Sequence, residues 1–95
     1  MYKIYLLEKQ SGILRLILYL YDNGESLLSS IWSKAQIGIN QGYKALEKGR
    51  ELDLIATRVD YSTYPRKNMI SLTVKGKEVA KYLKKIEEVL GGDQQ

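Results

Sequence analysis

Aromatic and basic side chains meet in one short stretch, "YSTYPRKN", which sets Tyr61 and Tyr64 beside Arg66 and Lys67. Guanidinium and ammonium groups bind phosphate oxygens, and a tyrosine ring can stack on a sugar. The chemistry available to this stretch is the binding of an anionic partner through charge and ring contacts. Alternatively, the two tyrosine rings pack on the backbone of their own loop.

Covalent chemistry has few candidate groups in this chain. There is no cysteine and no histidine, which excludes disulfides, thiolate nucleophiles, imidazole bases and the usual zinc ligands. The carboxylates Glu47, Glu51, Asp53 and Asp60 show no spacing typical of a paired acid and base, and no glycine-rich phosphate loop is present. We therefore predict a protein that is not an enzyme and that uses no metal or cofactor.

The positive charge is concentrated in the middle of the chain. Residues 34–77 hold nine basic and four acidic residues, whereas the whole chain carries a net charge of only +4. The flanking segments, residues 1–33 and 78–95, are neutral and slightly negative. This clustering favours a polyanionic partner, and a solvated basic face is the alternative interpretation.

The 95 residues, 44% of them hydrophobic, predict one small domain over residues 1–90 and a flexible tail over 91–95. The longest apolar run, Gly12 to Tyr21, is interrupted by Arg15 and is too short to span a bilayer. No signal-peptide pattern follows Met1. We expect a cytoplasmic protein without a membrane partner.

The first helix is predicted over residues 11–21 and, being apolar on nearly every side, should lie at the centre of the core. Asp22, Asn23 and Gly24 form turns readily and should end it. A short second helix is predicted from Ser26, whose hydroxyl can cap the first turn.

A sharp turn at "IGIN" should connect the second helix to a third. Gly38 can adopt the left-handed conformation there, and Asn40 can cap the third helix, predicted over residues 41–52. Together these helices predict a helix-turn-helix over residues 26–52. Its inward residues would be Tyr43, Leu46 and Leu52, and its outward residues Gln41, Lys44, Lys48 and Glu51.

Two β-strands are predicted next, over residues 54–60 and 69–74, from their alternating and β-branched residues. The loop between them contains Pro65 and Asn68 as strand breakers. The result is a hairpin over residues 54–74 with a basic tip.

A last helix is predicted over residues 74–90, with Thr73 as its cap. It carries one apolar stripe, which can pack on the first helix of the same chain or pair with a second chain: Val79, Leu83, Ile86 and Leu90. The alternating Tyr2, Ile4 and Leu6 could form an extra strand or extend the first helix into a dimer contact.

This order of elements resembles a winged helix-turn-helix domain of the MarR-like transcriptional regulators of archaea and bacteria. The resemblance covers residues 11–90. Its best local marker is "RKNMISLTVKG", which matches the family's wing pattern of an arginine, a leucine six residues later and then Thr-x-x-Gly. In addition, "GINQGYKALEKGRELDLI" resembles the family's recognition helix.

The resemblance implies an α+β winged helix-turn-helix fold and a homodimer that binds double-stranded DNA. It implies that the third helix enters the major groove, with contacts from Asn40, Gln41, Lys44 and Lys48. It also implies that the wing reaches the minor groove and backbone, with contacts from Arg58, Tyr64, Arg66 and Lys67. The stripe on the last helix is the candidate dimer surface.

The same features are compatible with a second function. A winged-helix module that binds proteins within a transcription or replication assembly is the alternative to a regulator. No small-molecule effector is expected, because the chain has little beyond the DNA-binding part of such proteins.

The sequence departs from the family pattern at four positions. Tyr64 stands where an aspartate usually holds the wing arginine, and Asp53 replaces the glycine that usually ends the recognition helix. Gly42 and Gly49 occupy positions that are usually apolar. We expect Trp32, itself a core residue, or a tyrosine of the first helix to fill the missing volume at these glycines.

Overall fold

The computed structural model describes residues 12–62 and 64–91. Its elements are α1 (Ile13–Asn23), β1 (Ser26–Leu27), α2 (Leu28–Lys34), α3 (Ile39–Glu51), β2 (Ile55–Asp60), β3 (Lys67–Leu72) and α4 (Val74–Gly91). The predicted α+β winged fold is confirmed, with one strand more than expected. The expectations for Tyr2, Ile4, Leu6 and Ser11 and for residues 92–95 fall outside the described residues, whereas Gly91, assigned to the tail, is the last residue of α4.

Helix α1 is the centre of the core, as its all-round apolarity predicts. Leu16, Ile17, Leu18 and Leu20 are each at most 2% exposed. Arg15, the one charge within this apolar run, is also buried, and its Nη1 donates to the carbonyl of Gln36 at 2.8 Å. The arginine therefore ties α1 to the segment just before α3.

The end of α1 was predicted two residues too early. Asp22 and Asn23 continue the helix, and the Asn23 side-chain amide donates to the Tyr19 carbonyl at 2.9 Å. Gly24 ends it with a left-handed φ of 76° while its N–H still bonds the Leu20 carbonyl. The stop is set by the residue that adopts positive φ without steric cost, and not by the turn-forming residues before it.

Ser26 does not cap α2, contrary to expectation. It belongs to β1, which pairs antiparallel with β3 in the register Ser26↔Ile70 and Leu27↔Met69. The Ser26 hydroxyl donates to the Gly24 carbonyl at 2.9 Å, and α2 begins at Leu28 without a side-chain cap. The sheet therefore has the order β1-β3-β2, so that the wing hairpin is anchored to the body of the domain.

The turn between α2 and α3 is left-handed at Gln36 (φ 58°) and not at Gly38, which is extended. The Gln36 N–H bonds the Ser33 carbonyl and the Ile37 N–H bonds the Trp32 carbonyl, which is the Schellman arrangement. Helix α3 then starts at Ile39 with Gly38 as its N-cap. The prediction that Asn40 caps this helix is therefore wrong.

Helix α3 ends by the same arrangement. Asp53, in place of the usual glycine, has φ 62°, and the Leu54 N–H bonds the Gly49 carbonyl at 2.8 Å. The replacement of glycine by aspartate thus leaves the expected backbone turn intact.

Three small residues and one leucine form the buried stripe of α3: Gly42, Ala45, Leu46 and Gly49. A Cβ on Gly42 would meet the Trp32 ring at 2.6 Å, which confirms that the tryptophan fills this site. At Gly49 the neighbour is Ile55, whose Cδ1 would lie 2.5 Å from a Cβ, and not a tyrosine of α1.

Two of the residues expected to point inward from α3 do not. Leu46 is buried as predicted, but Tyr43 and Leu52 are exposed. Two of the inward positions are glycines. The face of α3 that packs on the core therefore differs from the face predicted from the large apolar side chains.

The wing consists of β2 and β3, paired antiparallel from Ile55↔Leu72 to Asp60↔Lys67. Asn68, expected to break the strand, lies within β3. Burial is confined to the base of the hairpin, at Ile55, Ile70 and Leu72, and the outer part is exposed. The hairpin therefore projects from the core as a finger.

Thr73 caps α4 as predicted. Its hydroxyl accepts from the Gly76 N–H at 2.9 Å and donates to the Asp53 carbonyl, while its own N–H bonds the Leu54 carbonyl. The Thr-x-x-Gly step thus fastens the start of α4 to the end of α3. Helix α4 packs along α1. None of the helices within residues 12–62 and 64–91 has the length and apolarity needed to cross a membrane.

Candidate nucleic-acid interface

The start of α3 presents a mixed apolar and polar surface to solvent. Ile39 is 62% exposed and Tyr43, one turn later, is 52% exposed. Asn40 and Lys44, predicted as contact residues, are exposed beside them. The Tyr43 ring contacts Trp32 edge-on with centroids 5.5 Å apart, so it is held against the core while its other side faces solvent.

The other two α3 candidates are less available. Gln41 is half-buried, and its Oε1 lies 3.8 Å from where a Cβ on Gly38 would stand. The Lys48 ammonium lies 3.5 Å from the Glu51 carboxylate, and both side chains are largely exposed. An exposed pair of this kind is weak, so Lys48 can still exchange its partner for another anion.

A groove of about 500 Å³ runs between the wing and the helix-turn-helix. Leu28 and Ser29 of α2 and Tyr43 of α3 line one side, and the other side comes from the wing: Tyr64, Pro65, Arg66, Lys67 and Asn68. The fold therefore brings the basic wing tip and α3, which are separate in sequence, to one surface. We call this surface, with Ile39, Asn40 and Lys44, the basic face.

The wing tip presents its aromatic and basic side chains to solvent. Tyr64 is 100% exposed, and Tyr61, Arg66 and Lys67 are exposed as well. The Asp60 carboxylate accepts from the Ser62 hydroxyl at 2.6 Å and from the Ser62 N–H at 2.9 Å. These two bonds, and then the charges of Arg58 and Lys67, lower the pKa of Asp60. Asp60 thus supplies a carboxylate to the wing tip. It does so although Tyr64 stands where the family usually has an aspartate.

Arg58 is occupied by a partner that the sequence does not reveal. Its Nε and Nη2 donate to the two oxygens of Glu25 at 2.6 and 2.7 Å. This two-bond contact lowers the pKa of Glu25 and raises that of Arg58. Because the pKa of the carboxyl group is lowered, the pair is intact at neutral pH and is lost as the pH falls below the ordinary carboxyl range. Arg58 thus braces β2 against the segment that leads into β1.

The apolar stripe of α4 is used largely within the chain. Leu83 belongs to the core, and Val79 and Leu90 pack against it, whereas Ile86 is 39% exposed. Tyr82 and Val89, on the neighbouring face, are more exposed than Ile86. Of the two alternatives for the stripe, packing on the first helix accounts for most of it, and an exposed strip of Tyr82, Ile86 and Val89 remains.

Ile39 and Tyr43 were missed as surface residues. The signal that could have identified them is the pair of glycines, since taking Gly42 and Gly49 as the inward positions turns Tyr43 outward. Ile39 was missed because the third helix was predicted to begin at Gln41, two residues after its actual start.

Comparisons with known proteins give matches among solved structures only. No family model matches the chain, and no curated protein does. ZitR from Lactococcus lactis, in a variant form, superposes with a TM-score of 0.75 at 27% identity, covering 88% of this chain and 57% of ZitR. AF1382 from Archaeoglobus fulgidus gives a TM-score of 0.74 at 21% identity, covering 96% of this chain and 99% of AF1382.

A third neighbour carries a functional name. The MarR family transcriptional regulator SPO1453 from Silicibacter pomeroyi gives a TM-score of 0.72 at 13% identity, covering 94% of this chain and 62% of that protein. The chain spans a little over half the length of ZitR and almost all of AF1382. The resemblance to MarR-like winged-helix regulators is therefore confirmed for the fold. Transcriptional regulators are generally not enzymes.

Proposed function

We propose that this chain is a double-stranded DNA-binding transcriptional regulator. In this proposal α3 enters the major groove through Asn40 and Lys44, and the wing meets the minor groove and backbone through Tyr64, Arg66 and Lys67. The observation that carries it is the groove that α2, α3 and the wing tip line together. The similarity to MarR-like regulators supports the same function.

The charge distribution supports a nucleic-acid partner. Residues 34–77, which include α3 and the wing, hold nine basic against four acidic residues. The basic face is therefore suited to the phosphate backbone, which dominates affinity for duplex DNA. Gln41 and Lys48 are secondary contacts in this proposal, because one is half-buried and the other has Glu51 beside it.

The proposed regulator acts as a homodimer. Tyr82, Ile86 and Val89 lie at spacings of four and three on α4 and are exposed, so they form an apolar strip that a second copy can cover. A two-fold dimer places two α3 helices on half-sites about one helical turn of DNA apart. No small-molecule effector is part of the proposal.

Selection of duplexes from a random pool by the wild-type chain tests this function. A regulator should enrich a palindromic sequence and bind it at least about 10³-fold more tightly than random duplex at physiological salt. Binding without enrichment would contradict sequence-specific regulation. No duplex binding at low salt would favour the protein-interaction module.

The Arg58–Glu25 pair gives a second prediction. Glu25→Gln removes a carboxylate and frees Arg58, so we expect several-fold tighter binding to random duplex and a log-log salt slope steeper by about 1. Arg58→Gln leaves the Glu25 carboxylate without its partner, so we expect at most a several-fold loss of affinity from charge repulsion and an unchanged salt slope, because no phosphate contact is removed. Fluorescence anisotropy of a labelled duplex measures both. A large loss of affinity in Arg58→Gln, with unchanged thermal stability, would show instead that Arg58 itself contacts DNA.

A further inference from the structure

An exposed isoleucine begins the helix that the proposed function puts in the major groove. Ile39 is 62% exposed, and within the described residues it is neither a member of the core nor packed against it. The buried stripe of α3 starts three residues later, at Gly42. The Ile39 side chain is therefore not required for folding, although it exposes a large apolar surface.

The surroundings of Ile39 limit what can cover it. Asn40 is the next residue of α3, Tyr43 follows one turn later with its ring against Trp32, and Lys44 is exposed after it. The groove beside Tyr43 is lined on its other wall by Arg66 and Lys67. An apolar group within a positively charged surface fits an anionic partner that offers a small apolar patch of its own.

Duplex DNA offers one such group in its major groove. Base edges there present hydrogen-bond donors and acceptors, and the C5-methyl group of thymine is the apolar exception. The next residue, Asn40, carries the amide that pairs with the edge of adenine. Isoleucine followed by asparagine is therefore matched to a half-site that contains A·T pairs.

We propose that Ile39 is a specificity-determining residue that recognises a thymine by contact with its C5-methyl group. This inference rests on the proposed function, because it requires α3 in the major groove. It identifies one base of the target as thymine. The positions of the basic side chains alone identify no base.

Uracil substitution isolates the methyl group. Uracil keeps the hydrogen-bonding edge of thymine and lacks only the C5-methyl, so each thymine of the selected duplex is replaced in turn. We expect one position in each half-site at which uracil weakens wild-type binding by about 3- to 10-fold, as expected for the loss of one or two buried methyl contacts. The Ile39→Ala variant should bind the thymine duplex more weakly than wild type by a similar factor. It should bind the thymine duplex and the uracil duplex with equal affinity.

Two controls separate this contact from general effects. Val74→Ala removes an aliphatic side chain that is 83% exposed at the start of α4, and it should retain the full preference for thymine. Ile39→Val, which keeps part of the side chain, should retain part of the preference. Affinity of Ile39→Ala for random duplex should equal that of wild type, since no phosphate contact is removed.

The possible outcomes are distinct. Equal uracil sensitivity in wild type and Ile39→Ala, or no sensitivity at any position, overturns the role of Ile39 while DNA recognition stands. A chain that selects no sequence overturns both this inference and the proposed function.

Discussion

Gly76→Ala is expected to destabilise the domain by about 3 kcal/mol or more, the range of the most damaging single substitutions. A Cβ at this position would overlap the carbonyl oxygen of Leu54, lie 2.9 Å from its carbonyl carbon and meet Leu72 Cδ2 at 3.2 Å. The obstacle is backbone, which cannot rotate away as a side chain can. The same carbonyl accepts the Thr73 N–H, so moving it also breaks the junction between α3 and α4.

Thermal unfolding followed by circular dichroism measures this effect. For a domain of this size a loss of 3 kcal/mol lowers Tm by roughly 12 °C or more. Gly38→Ala is the matched control, since only Gln41 Oε1, at 3.8 Å, lies near a Cβ there, and its cost should not exceed about 1 kcal/mol. If Gly76→Ala melts within about 2 °C of wild type, α4 does not approach Leu54 as closely as described.

This glycine explains the Thr-x-x-Gly pattern seen in the sequence. Thr73 supplies the cap, and Gly76, one turn later, allows the helix to rest on the Leu54 carbonyl. The cap is local, because Thr73 accepts from the N–H of Gly76, and this is why the start of α4 could be predicted from the sequence. The contact of Gly76 with Leu54 spans 22 residues and could not.

Features that depend on distant partners could not be predicted in the same way. Strand β1 is two residues long and exists through pairing with Met69 and Ile70, more than forty residues away. Its formation removed Ser26 from the predicted cap position. The left-handed turn at Gln36 likewise involves distant partners, since Ile37 is buried in the core and Arg15 donates to the Gln36 carbonyl.

The candidate site was predictable in its charge and less so in its geometry. The basic residues of "PRKN" identified the wing tip, because exposure of a charged loop needs no tertiary partner. Arg58 looked equally available, but Glu25, 33 residues earlier, occupies it. Tyr43 was predicted to point inward because three of the four inward residues of α3 are small, and Ile39 lay before the predicted start of the helix. The exposed surface of α3 could therefore be assigned only once its packing was known.

The Arg66→Ala/Lys67→Ala double variant is expected to show the largest loss of DNA binding. Both side chains are exposed at the wing tip, so their removal should leave Tm nearly unchanged. Each lost phosphate contact reduces the log-log salt slope by about 0.9, and the affinity at low salt should fall roughly 10- to 100-fold. Lys81→Ala/Lys85→Ala, which removes the same charge from α4, is the matched control and should retain most of the affinity.

A salt series with these variants decides whether the basic face of this domain binds duplex DNA. Fluorescence anisotropy of a labelled random duplex is measured for wild type, the wing variant and the α4 variant. We expect salt-dependent wild-type binding, a log-log slope shallower by about 2 in the wing variant, and a smaller change in the α4 variant. Equal slopes for wild type and the wing variant, or no wild-type binding at low salt, would contradict DNA binding by the basic face.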